Sequence, residues 1–137
     1  MNEPSGGLPA EGETTEPASF ALDTAIRGEA LVVTVAGEVD LATSPELSQA
    51  VEGSANGAVR VVADLSAITF VDSSGISALV RAQSELARRG LELRVVAAAG
   101  GPVFRVLELM SLTDVLTVVD SLEAALPEGE SAPAGLS

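Results

Sequence analysis

Two short runs restrict the choice of fold more than any other feature of the chain. ALVVTVA at 30–36 is apolar almost throughout, and VRVVADL at 59–65 repeats its Val-rich character. β-Branched side chains are stiff at χ1 and favour strands, and a run without polar alternation suits a strand covered on both faces. The segments around them alternate in period. Phe20, Leu22, Thr24 and Ile26 recur every second residue and predict a strand ending at a Gly28 turn. Thr43-Ser44-Pro45-Glu46 predicts a helix start, with a capping hydroxyl, Pro in the first turn and an acid near the positive helix end. Leu47, Ala50 and Val51 then share a face. From Ile76, apolar residues recur at Leu79, Val80 and Leu86 while Arg81, Glu85, Arg88 and Arg89 form the polar side, and Gly90 stops the helix. A strand over Leu91–Ala98 and a helix over Pro102–Met110, with Phe104 and Leu107 inward, come next. A strand over Val115–Val119 follows, and Asp120 with Glu123 reads as a capping box opening a last short helix. Strands alternating with helices predict an α/β domain with a single sheet, at least partly parallel.

Composition narrows the chemistry. The 137 residues suit one domain, and with only three Phe the core must be built from Val, Leu, Ile and Ala. There is no Cys and no His, which excludes disulfides, thiolate metal sites and every Ser-His-Asp arrangement. The net charge of −13 opposes binding to nucleic acid. Without an apolar run of about 18 residues no membrane span is expected, and the N-terminus lacks the basic and apolar regions of a secretory signal. A cytoplasmic location is the expectation. Residues 1–18 and 127–137 are rich in Glu, Gly, Pro, Ser and Thr and read as disordered acidic tails. The intervening 19–126 holds 14 acidic residues against 7 Arg, so the folded part is itself acidic.

The chemistry concentrates in ITFVDSSGISALV at 68–80, where an apolar run stops at Asp72, Ser73, Ser74 and Gly75 before a helical pattern resumes. Asp72, Ser73 or Ser74 can cap the helix. One cap needs one such residue and there are three, so at least one hydroxyl is left to face solvent. A phosphoryl group on Ser73 or Ser74 would sit at a helix N-terminus and add about −1.5 to −2 charge to an acidic surface. A second segment, Gly37-Glu38-Val39-Asp40, reads locally as a turn. If the runs at 30–36 and 59–65 are neighbouring strands, their C-terminal ends bring Asp40 near Asp72, at the edge where open α/β sheets place their sites. Two carboxylates can hold Mg²⁺, but as a pair they fit an interaction surface better.

GEVD at 37–40, DLSAITFVDSSGISALV at 64–80 and FRVLELMSLTDVL at 104–116 together resemble the STAS domain of bacterial anti-sigma factor antagonists. The likeness spans about 19–126. It implies a single α/β domain: a mixed sheet of four to five strands with helices packed mainly on one side. It further implies phosphorylation of Ser74 (Ser73 being the alternative) by an anti-sigma factor that is also a serine kinase. Asp40, Asp72, Ser73 and Gly75 would contribute to the surface that the kinase meets. The unphosphorylated form would bind the kinase and free a sigma factor, the phosphorylated form would let go, and a phosphatase would reset the switch. ATP and Mg²⁺ belong to the kinase in this scheme, so the chain needs no cofactor and is a substrate, not an enzyme. One departure from the family pattern is Ser111, where Gly is usual. The same fold also serves as a subunit of transport or stressosome-like signalling assemblies. A nucleotide-hydrolysing protein ranks last, since the chain has no Lys and no phosphate-binding Gly-rich loop.

Overall fold

The computed structural model describes residues 20–53 and 57–126, and the two expected tails lie outside them. Among the described residues five strands and four helices follow one another as β1 (Phe20–Arg27), β2 (Ala30–Val39), α1 (Ser44–Gly53), β3 (Arg60–Val71), α2 (Ser73–Arg88), β4 (Glu92–Val96), α3 (Pro102–Leu109), β5 (Thr117–Val119) and α4 (Leu122–Ala125). The sheet order is β1-β2-β3-β4-β5. β1 and β2 form an antiparallel hairpin through the two residues Gly28 and Glu29, with Gly28 at φ 62° as such a short turn requires. All later pairings are parallel. Because β2 to β5 are laid down in order and crossovers between parallel strands share one hand, α1, α2 and α3 fall on the same face.

The alternation of side chains shows this directly. Leu31, Val33, Val35, Val61, Ala63, Leu93 and Val95 point to that face and are buried with Leu47, Val51, Ile76, Leu79, Leu86, Val103 and Leu107 of the helices. Ala30, Val32, Val62 and Val96 point the other way, into a smaller cluster closed by Ala125 and Leu126 at α4. The two β-branched runs are thus covered on both faces, the second only where α4 lies.

Several local expectations are corrected. Gly37-Glu38-Val39 is not a turn: it continues β2, with irregular register against β3 between Thr34 and Ala36 and again between Gly37 and Glu38. Gly37, at φ 94°, is the residue that lets the strand bulge and go on. β3 likewise runs six residues past Leu65, to Val71. α2 starts at Ser73, three residues before the first apolar repeat. Phe104 is only half-buried, and Val103 joins Leu107 as the buried pair of α3. The last helix is capped by Ser121 and not by Asp120: the Ser121 Oγ accepts from Ala124 N–H at 3.1 Å, and the helix begins at Leu122.

Candidate functional site

β2 and β3 end in register, Val39 beside Val71, so Asp40 and Asp72 leave the sheet side by side at its C-terminal edge. The pairing continues one step further through Asp72 N–H, which donates to Val39 C=O at 3.2 Å. The two segments that sequence reasoning singled out therefore meet.

Each Asp organises its own turn. Asp40 Oδ1 accepts from Ala42 N–H at 3.0 Å, Thr43 N–H at 3.1 Å and the Thr43 hydroxyl at 3.2 Å. Asp40 N–H in turn donates to Thr43 Oγ1 at 2.9 Å. The Thr43 hydroxyl is also within 3.2 Å of Glu38 C=O, so it ties the strand end to the loop. The sequence marks Thr43 as the opening of α1, and the spacing Asp-x-x-Thr is the signal for its second role.

Asp72 is the N-cap of α2. Its backbone is extended (φ −108°, ψ −175°), and its Oδ1 accepts from Ser74 N–H at 2.9 Å and Gly75 N–H at 3.3 Å. The same oxygen accepts the Ser74 hydroxyl at 2.5 Å. The surplus of capping groups is thus resolved: Asp72 holds the helix end, Ser73 is exposed, and Ser74 is half-buried with its Oγ–H directed at the carboxylate. The Ser74 hydroxyl bond is the main reason that the Asp72 carboxyl is held below its ordinary value, with the amides of Gly75 and Ser74 adding to it and desolvation opposing. An ionised Asp72 draws the Ser74 proton toward itself and leaves the Oγ lone pairs for an electrophile, which is the polarity that phosphoryl acceptance needs.

Gly75 faces inward. It is buried, and a Cβ there would lie 2.7 Å from Val39 Cγ1 and 2.8 Å from Val71 Cγ2. For Gly75, expected on the partner-facing surface, the structure shows a packing role: its missing side chain lets the first turn of α2 sit directly on the ends of β2 and β3. That contact fixes Ser74 relative to Asp40. With the amides of both turns drawn to their Oδ1 atoms, the paired Asp residues serve backbone structure first. Among the described residues no group of three or more His, Cys, Asp or Glu side chains gathers as a metal-binding cluster. No helix among them is long and apolar enough to cross a membrane.

Comparison with known proteins places this geometry. The STAS domain family matches residues 21–125. The anti-sigma-F factor antagonist RsfB of Mycobacterium tuberculosis is 32% identical over 111 residues, covering 80% of this chain and 89% of its own. The anti-sigma-B factor antagonist of Listeria monocytogenes is 31% identical over 85 residues, covering 61% and 74%. The crystal structure of an anti-sigma factor antagonist from Mycobacterium paratuberculosis superposes with a TM-score of 0.73 at 29% identity, covering 84% of this chain and 97% of that one. With the family model covering most of the described fold and a relative of 32% identity matched over 89% of its length, this chain belongs to the STAS-domain family.

Proposed function

We propose that the protein is an anti-sigma factor antagonist that acts in the cytoplasm as a phosphorylation-controlled partner switch. In its unphosphorylated form it binds an anti-sigma factor that is a serine kinase, and so frees the sigma factor. Transfer of the γ-phosphoryl group of ATP to Ser74 ends that binding, and a phosphatase restores it. The chain supplies the acceptor hydroxyl and the docking residues Asp40, Asp72 and Ser73, while nucleotide and Mg²⁺ are the kinase's. The names of the relatives support the antagonist role. The observation that carries the switch is the Asp72–Ser74 unit at the exposed end of the sheet. There a phosphate would remove the proton that Ser74 donates and set two anions against one helix end.

The test is phosphate mapping. The full chain is incubated with ATP and purified anti-sigma factor serine kinases, and the product is digested and examined by mass spectrometry. The expected label is on Ser74. Label on neither Ser73 nor Ser74, with kinases that modify other antagonists of the family, overturns the reading. Ser74→Ala should fold and bind the kinase without release by ATP. Ser74→Asp should bind more weakly, although one negative charge imitates a phosphate only in part. Equal binding by the two variants rules out release by charge.

A further inference from the structure

The docking edge carries two large apolar side chains that packing does not explain. Of the three Phe in the chain, Phe20 and Phe104 pack against the main core, whereas Phe70 is 49% exposed. Leu41 is 77% exposed. Both border the acidic site. Phe70 lies two residues before Asp72 and pairs across the strands with exposed Glu38; Leu41 follows Asp40. Scattered exposed apolar residues are ordinary on a protein surface. These two share one end of one sheet, and each is held there. Leu41 stands inside the turn that Asp40 closes through Ala42 N–H, Thr43 N–H and the Thr43 hydroxyl. Phe70 is fixed by the pairing of β3 with β2 through to its last residue. Their presentation to solvent is therefore built into the backbone, and a partner would lose little conformational entropy in ordering them.

From this we infer that Leu41 and Phe70 are the apolar anchors of the surface that receives the anti-sigma factor kinase, an inference that rests on the function proposed above. Exposed apolar and aromatic groups beside polar ones are the ingredients of an energetic hot spot. The surrounding Glu38, Asp40 and Asp72 give the rim a single sign. The partner is thereby specified in chemistry as a surface with an apolar depression ringed by Arg and Lys. Continuity with Ser74 favours the kinase over a second copy of this chain, whose own acidic rim would repel it.

The experiment measures binding of the full unphosphorylated chain to the kinase found to label it, with the variants Leu41→Ser, Phe70→Ser and Ile26→Ser. Ile26 is the control: it is 62% exposed, and it pairs with Leu31 at the opposite end of the sheet. Leu41→Ser and Phe70→Ser should each weaken binding about tenfold or more, with Ile26→Ser unchanged. Leu41 is too exposed for its replacement to unfold the protein, so a null result there is decisive even if Phe70→Ser melts early. Tight binding by the wild type that neither variant disturbs overturns this inference alone. No binding by the wild type to any such kinase overturns the functional reading, and this one with it. Concentration-dependent dimerisation of the wild type that Leu41→Ser abolishes assigns the patch to self-association and overturns the choice of the kinase.

Discussion

Asp72 ties the helix end to the candidate acceptor hydroxyl, because one carboxylate oxygen serves the Ser74 hydroxyl and the amides of Ser74 and Gly75. Its folded pKa lies below the ordinary 3.8, with the Ser74 hydroxyl as the largest cause. A carboxyl depressed on folding contributes stability that is present above its unfolded pKa and lost as pH falls through the folded value. Asp72 thus supports the fold at neutral pH, and that support begins to decline near about pH 4 and is gone only once pH has fallen below the folded value. Glu92 has the same direction, through its bonds to Arg94 and Arg60, so the wild type loses two such contributions in acid. Asp72→Ala should lower the Tm at pH 7 and show a smaller further fall between pH 5 and pH 3 than the wild type, with the Glu92 part remaining. Thermal melts across that range check it, and parallel curves for the two proteins would show that the cap is not coupled to the carboxylate. In Ser74→Ala the Asp72 carboxyl should titrate closer to its ordinary value, as followed by NMR.

Helix ends account for the next level of specification. α2 and α3 stop in the same way. Gly90 N–H donates to Ala87 C=O and Leu91 N–H to Leu86 C=O; Ser111 N–H donates to Glu108 C=O and Leu112 N–H to Leu107 C=O. This doubly bonded stop needs its turning residue in the left-handed region, which Gly90 enters freely at φ 77°. Ser111 occupies the same region at φ 59°, the one described non-glycine residue to do so. The departure from the family pattern at Ser111 is thus a strained helix stop. Left-handed backbone costs a residue with a Cβ about 1–2 kcal/mol, and part of that gain is offset by the greater freedom of glycine when unfolded. Ser111→Gly should therefore stabilise by about 0.5–1 kcal/mol, read as a higher midpoint in urea with an unchanged slope; a lower midpoint would mean that the Ser111 side chain has a role of its own. Elements whose boundaries are written in local chemistry were legible in the sequence, such as the Val-rich runs and the Gly90 stop. The extensions of β2 and β3 were not. Gly37 reads as punctuation but serves a bulge, and the polar, exposed Ser66 and Thr69 interrupt the apolar pattern while strand pairing continues. Asp40 and Asp72 were legible as neighbours because register follows from strand order. The division of labour between Ser73 and Ser74 was not, since it depends on which hydroxyl the Asp72 carboxylate reaches.

At the scale of the molecule, charge and apolar contact should govern different parts of partner binding. The chain is strongly acidic, at −13 over its length, and three of its acids, Glu38, Asp40 and Asp72, lie together at the sheet edge proposed to meet the kinase. Long-range attraction to a basic partner speeds encounter, and salt screens it, the Debye length falling to about 8 Å at physiological ionic strength. Contacts made after encounter, here the Leu41 and Phe70 anchors, resist dissociation and are little affected by salt. Between about 50 and 500 mM NaCl the association rate with the kinase should fall roughly tenfold while the dissociation rate stays within about twofold. Leu41→Ser should do the reverse, raising the dissociation rate and leaving the salt dependence of association as it was. Stopped-flow or surface-based kinetics at several salt concentrations separates the two. An association rate indifferent to salt would mean that the acidity serves solubility and not recognition. On the proposed switch, phosphate on Ser74 would act on both terms at once. It adds about −1.5 to −2 charge beside the rim, and it places three oxygens where the anchors require a close, dry contact. A surface built on rigid anchors would tolerate such an intrusion poorly, so on the proposed switch one modified hydroxyl should release the partner without unfolding the domain.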